Sequence, residues 1–151
     1  MAIYAKVTGK KQGVMTGGVT AQAFTGQIEV HSVDFGVGSP HDVSTGLATG
    51  KRVARPVVIT KPLDKSSPLL HQSCVTNESV SVWISYTVEG QGHAAYVTIA
   101  LTNGMVQDFN HMGHADGTAV ERNAFTYSRI EFTWVTGGIV STDDWMTDPS
   151  N

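Results

Sequence analysis

Apolar and polar residues alternate with a period of two over much of the chain, the pattern of strands that bury one face. The contrast is strictest from Val80 to Glu89: Val80, Val82, Ile84, Tyr86 and Val88 mark one face, and Ser81, Trp83, Ser85, Thr87 and Glu89 the other. Glu89-Gly90-Gln91-Gly92-His93 then reads as a turn and Ala95 to Thr102 as the returning arm of a hairpin. Asn103-Gly104 predicts a tight turn, followed by a short fifth strand from Met105 to Phe109. Near the start, Ile3, Ala5 and Val7 alternate with Tyr4 and Lys6, and Thr8 to Val19 reads as a loop.

Two longer runs change phase midway. Between Gly26 and Val37 the apolar set shifts from Ile28 and Val30 to Val33, Phe35 and Val37; between Asn123 and Val135 it shifts from Phe125 and Tyr127 to Ile130, Phe132 and Trp134. A β-bulge at His31-Ser32 and another at Ser128-Arg129 would return each set to one face, bending the strands as a sheet curling into a barrel requires. Pro56 to Thr60 is a further strand, with proline tolerable at its first residue.

Only one stretch follows a helical period. Ser67 offers a hydroxyl to cap a first turn, Pro68 suits the first helical position, Leu70 and Cys74 lie four apart, and Asn77 offers a stop. The expected architecture is mainly β: a single β-barrel of two curved antiparallel sheets, with one short helix from about Pro68 to Val75 packed against its outside or end. A long extended loop from about Gly38 to Arg55 has no apolar periodicity, and idle loops of that length are uncommon. Residues 1–140 form the domain; 141–151 read as an acidic tail, mobile or weakly docked through Trp145.

The 151 residues suffice for one core, and the lone Cys74 rules out an internal disulfide framework. Met1 to Gly9 lacks the apolar core of a signal peptide, and no run approaches the roughly 18 apolar residues of a membrane span. A net charge of -3 with only two basic doublets, Lys10-Lys11 and Lys51-Arg52, argues against nucleic acid as a partner. Charged residues make up 15%, below the roughly 25% of an ordinary soluble domain, which suits either a hydroxyl-rich β surface or one covered by other subunits.

Candidate chemistry is sparse. His111-x-x-His114 with Asp116, to which His71 or His93 could add a ligand, is the best metal-like cluster, though it lies in a glycine-flanked loop where two exposed histidines are the simpler reading. No nucleophile elbow, phosphate loop or dinucleotide fingerprint occurs. Asp34 reads as a residue of the wet strand face, and Trp83, alone on its polar face, as a packing contact.

Lys61-Pro62-Leu63-Asp64-Lys65-Ser66-Ser67-Pro68-Leu69-Leu70 resembles the K-x-x-D-K-[AS]-[ST]-P-x-L signature of the haemolysin-coregulated protein (Hcp) family, the tube subunit of bacterial type VI secretion. Ile28-Glu29-Val30 through Phe35-Gly36-Val37, Ala48-Thr49-Gly50-Lys51, Tyr96-x-x-Ile99-x-Leu101, and Glu121 followed by Tyr127 to Trp134 are similar to further motifs of that family, in the same order. The resemblance implies a homohexameric ring, stacking into a tube expelled with its spike inside a sheath and able to carry small effector proteins. It implies a protein made in the bacterial cytoplasm and secreted without a signal peptide, with no enzyme activity, cofactor, metal or membrane insertion. In that setting Ser39, Pro40, His41, Asp42, Thr49, Lys51 and Arg52 are candidates for the contact between rings, Ser32 and Asp34 for the lumen, and Trp83 for subunit packing. The alternatives are a metal-dependent effector or enzyme using the His111/His114 loop, and a monomeric ligand-binding barrel.

Overall fold

The computed structural model describes residues 1–88 and 94–144. Its strands are β1 (Ala2–Gly9), β2 (Gly13–Val14), β3 (Ile28–Val30), β4 (Ser32–Gly38), β5 (Val53–Pro62), β6 (Ser79–Thr87), β7 (Ala95–Gly113), β8 (Ala119–Thr126), β9 (Arg129–Trp134) and β10 (Ile139–Asp144), with one α-helix, α1 (Ser67–Thr76). All pairings are antiparallel, in the order β2-β1-β6-β7-β8-β5-β4, with β3 on β1, β9 on β7 and β10 on β9. Because β3 runs through His31 into β4, the pairings lead from β1 to β5 in both directions round a curled sheet. The mainly β architecture with one helix is thus as expected. The turn at 89–93 and Trp145 lie outside the described residues.

Both phase slips mark real bends, in a sharper form than bulges. At His31 the strand breaks, β3 pairing with β1 and β4 with β5, while the His31 N–H donates to Thr60 O at 2.7 Å. At Tyr127-Ser128 the expected single strand divides into β8 and β9. Asn103-Gly104 is not a turn: β7 continues through it, pairing with β6 on both sides of it, with β9 before it and with β8 after it. A type I′ turn needs two consecutive residues with positive φ, and here only Asn103 has one, at 52°. The result is a bend in β7 at the level where β8 hands over to β9. Gly104 makes that corner possible, since a Cβ there would lie 2.0 Å from the carbonyl oxygen of Thr126.

Three further boundaries differ from expectation. Gly9 and Gly13 pair in the β1–β2 hairpin, inside the stretch read as loop. β5 begins at Val53, so the long loop ends before Arg55; Pro56 is accommodated because the β8 ladder starts at Val57 and β4 is irregular opposite it, between Asp34 and Gly36. Ser141 to Asp144, assigned to the tail, belong to β10, which pairs with β9 across the Gly137-Gly138 turn, where both glycines have positive φ.

The alternating positions supply the core. Ala5, Val7, Ile28, Val30, Val57, Ile59, Val82, Ile84, Ile99, Leu101, Val106 and Phe125 are buried inside the curl, with Leu70 of α1 added to them. Asn77 ends the helix in the left-handed conformation, its N–H on Ser73 O, as its sequence position suggests. Ser67 is the first helical residue rather than the cap, and its hydroxyl accepts the Asp64 N–H and the Lys61 ammonium, each at 3.1 Å.

That ammonium is the centre of a buried network. Lys61 Nζ, wholly buried, lies 3.0 Å from Glu121 Oε2, 3.1 Å from Asp64 Oδ1 and 2.9 Å from Pro62 O. Lys61 and Glu121 face each other across β5 and β8, and Asn123 donates to Glu121 at 2.8 Å. The most distinctive sequence segment therefore fastens the helix to the sheet.

A second buried carboxylate, Glu78, secures the β1–β2 turn: Oε2 accepts the N–H groups of Lys11 and Gln12 at 2.9 Å, and Oε1 accepts the Gln12 amide at 3.1 Å. Burial raises the Glu78 pKa, but the backbone N–H groups of Gln12 and Lys11 and the Gln12 side chain outweigh it and hold the carboxyl below the usual glutamate range. A depressed folded-state pKa stabilises the protein above the unfolded value of about 4.3 and loses that contribution as pH falls through the folded one. Glu78→Gln is expected to cost about 1–3 kcal/mol at pH 7. Urea midpoints should show the gap from the parent protein narrowing below about pH 4.

Candidate assembly surfaces

Directly paired residues share a face of the sheet, so the ladders show where each candidate side chain stands. Ser32, Thr60, Arg122 and Asn110 form one row across β4, β5, β8 and β7; Asp34, Val58, Ala124 and Asp108 form the next. The intervening row, Val33, Ile59, Asn123 and Phe109, turns toward the core. Ser32 and Asp34 are therefore exposed on the outward side, on a polar face of mixed charge.

Trp83 occupies the corresponding outward position on other strands, in the row Lys6, Trp83, Ala100, Glu131 and Thr142 across β1, β6, β7, β9 and β10. It is 47% exposed. The indole is left half in water between Lys6 and Ala100 of the flanking strands.

The long loop is ordered by its own backbone. His41 bridges to Ala48, Asp42 N–H donates to Leu47 O at 2.8 Å, and Thr49 N–H donates to Pro40 O at 2.9 Å. Asp42 also accepts both the N–H and the hydroxyl of Ser44 at 2.9 Å, which lowers its carboxyl pKa, and His41 Nδ1 sits 2.6 Å from Ser39 O. Lys51 is exposed at the loop's base. Arg52 beside it is turned back on the domain: Nε and Nη2 donate to Asp143 of β10 at 2.7 and 2.5 Å.

The Arg52–Asp143 pair closes one side of a cleft of about 450 Å³ lined by Phe35, Val37, Ile130 and Phe132. The Phe35 and Phe132 rings meet edge to face at 5.4 Å. Sequence reading missed this cleft because its far wall is β10, whose apolar positions, Ile139 and Val140, are too few to announce a strand. It also missed the pairing of Lys61 with Glu121, for which the only signal was a lysine and an acid inside apolar strand patterns.

The histidine cluster comes apart. His111 lies on β7 opposite Glu121, His114 starts the β7–β8 turn, and the Asp116 carboxylate is engaged by the N–H and hydroxyl of Thr118 at 3.0 and 2.7 Å. His71 packs against Phe109, and His93 lies outside the described residues. Among the described residues no three His, Cys, Asp or Glu side chains stand together as metal ligands. The interior that a small-molecule barrel would leave for its ligand is filled by the core.

Comparison with known proteins agrees with this geometry. The family model described as "Type VI secretion system effector, Hcp" matches residues 4–134. The "Major exported protein" of Pseudomonas aeruginosa is 32% identical, with 95% of each chain covered. Among solved structures, the Hcp1 protein of E. coli EAEC 042 superposes with a TM-score of 0.85 at 26% identity, covering 96% of this chain and 99% of its own. The secreted protein Hcp3 of Pseudomonas aeruginosa does so with a TM-score of 0.74 at 26% identity, covering 97% and 99%.

Proposed function

The chain belongs to the Hcp family of type VI secretion, and from that premise we propose that it is a structural tube subunit whose copies join head to tail into six-membered rings that stack. The observation that carries this reading is the family match across nearly the whole fold, together with half-exposed apolar side chains on an outward sheet face of a charge-poor chain. A contact between two different surfaces of identical subunits forms a ring when the rotation closes, leaving the ring's two ends for a second contact. Trp83 belongs to the subunit contact, the polar rows with Ser32 and Asp34 to the lumen, and the loop from Ser39 to Lys51 to the contact between rings. The subunit acts without catalysis. Its partners are its own copies, the spike, the sheath and small effectors held in the lumen; it is made in the cytoplasm and leaves through the secretion machine.

Light scattering of the purified chain tests this. The expected mass is six times 16.1 kDa, about 97 kDa, with annular particles in negative stain; a 16 kDa species at working concentration overturns the reading. Trp83→Arg, on an exposed position, should leave stability within about 0.5 kcal/mol while shifting the mass to that of the single chain.

A further inference from the structure

β10 and β5 follow one another along the same side of β9 and β8, the side away from β7. Asp144, the last residue of β10, is paired with Arg129, and the ladder between β8 and β5 starts at Phe125 and Val57. Between those pairs Thr126, Tyr127 and Ser128 have no ladder partner on that side, a gap of roughly 10 Å at a strand's rise per residue. Val53, Ala54 and Arg55 pass the gap paired with β4 alone. A cleft of about 500 Å³ opens there, lined by Val53, Arg55, Pro56, Gln107, Thr126 and Tyr127.

β10 ends at the rim of this cleft, because Arg52, which also lines it, holds Asp143. The next residues are Trp145, Met146, Thr147 and Asp148, outside the described part of the chain. Extended, four residues reach roughly 13 Å, enough to cross the gap. The chemistry matches. Pro56, Val53 and the Tyr127 ring offer an indole an apolar wall. Arg55 offers a cation: it is exposed and makes no ion pair among the described residues. Its guanidinium lies across Gly36, where an added Cβ would overlap Nη2 and Cζ. An arginine arm already laid against the backbone gives up little freedom when it pairs.

We propose that the segment following β10 turns into this cleft, Trp145 seating against Tyr127 and Pro56 and Asp148 pairing with Arg55, so that residues 145–148 cover the joint between β10 and β5. Arg52 and Arg55, at the root of the long loop, thereby each hold a carboxylate from one continuous stretch of chain. The tether makes the contact intramolecular, so one indole and one ion pair suffice where a free peptide of the same sequence binds weakly.

Fluorescence tests this. The three tryptophans are Trp83, Trp134 and Trp145, so Trp83→Phe with Trp134→Phe leaves Trp145 as the only indole. Its acrylamide quenching constant is expected to be at least about threefold below that of a free peptide of residues 141–151, with emission at shorter wavelength. Arg55→Glu, at an exposed position, should raise quenching to the peptide's value without changing the far-ultraviolet circular dichroism, and adding Asp148→Arg should restore protection. Dilution should leave the protection unchanged. A second readout keeps Trp83 and Trp134 in place: amide hydrogen exchange over Val53 to Arg55 and Thr126 to Ser128 should quicken at least about threefold in Trp145→Gly. An indole quenched like the free peptide, protection that survives Arg55→Glu, or exchange unchanged in Trp145→Gly overturns the proposal. Protection that falls away on dilution gives the cleft to another copy's segment and overturns it too. None of these readouts needs a ring, so the tube reading stands or falls separately.

Discussion

Glu121→Ala should lower the unfolding free energy by about 3–5 kcal/mol, because it strands a lysine that is wholly buried. Total stabilities of domains this size run at about 5–15 kcal/mol, so the urea midpoint should fall by about a fifth or more. Asp64 remains beside the ammonium at 3.1 Å but is itself shared with Ser66, whose N–H it accepts at 2.9 Å. The pair's removal should be far milder than its breaking: Lys61→Met with Glu121→Leu takes both charges out of the interior, and such replacements are often neutral or stabilising. If Glu121→Ala and the double variant unfold at the same urea concentration, the loss belongs to packing around α1 and not to an uncompensated charge.

Gly104→Val is the second large effect. Its Cβ would approach a backbone oxygen, Thr126 O, at 2.0 Å, so no side-chain rotation relieves the overlap and the corner where β7 and β8 cross must open. The cost expected is at least about 3 kcal/mol, in the range of severe overpacking. Gly18→Ala, whose added carbon meets nothing within 4 Å, is the matched control and should stay within about 0.5 kcal/mol of the parent. Thr126→Ala should not rescue Gly104→Val, because the obstructing atom belongs to the main chain.

These two positions also show what the sequence discloses. Strand content and the core positions Ala5, Val7, Val80, Val82 and Ile84 were legible from period-two alternation, whereas Tyr4, Ser85 and Thr87 on the opposite face, read as facing water, are buried as well. Both phase slips were placed correctly, since an apolar set that changes parity must break or bend to stay buried. The form of the break was not legible. Asn103-Gly104 looks like a hairpin turn locally, and only the ladders to β6, β8 and β9 decide that the strand continues. β10 escaped notice for a similar reason: its polar residues are strand only because β9 offers an edge to pair with. Of the assembly surfaces, Trp83 stood out as one large ring on an otherwise polar face.

The fastening of α1 also sets an order of events during folding. Ten residues are too few to hold a helix in water, and the ammonium that anchors this one waits for a carboxylate sixty positions further along the chain. A ribosome must therefore have released β8 before the centre of the molecule locks, so refolding should follow the millisecond-to-second pace of long-range strand pairing instead of the microsecond pace of helices.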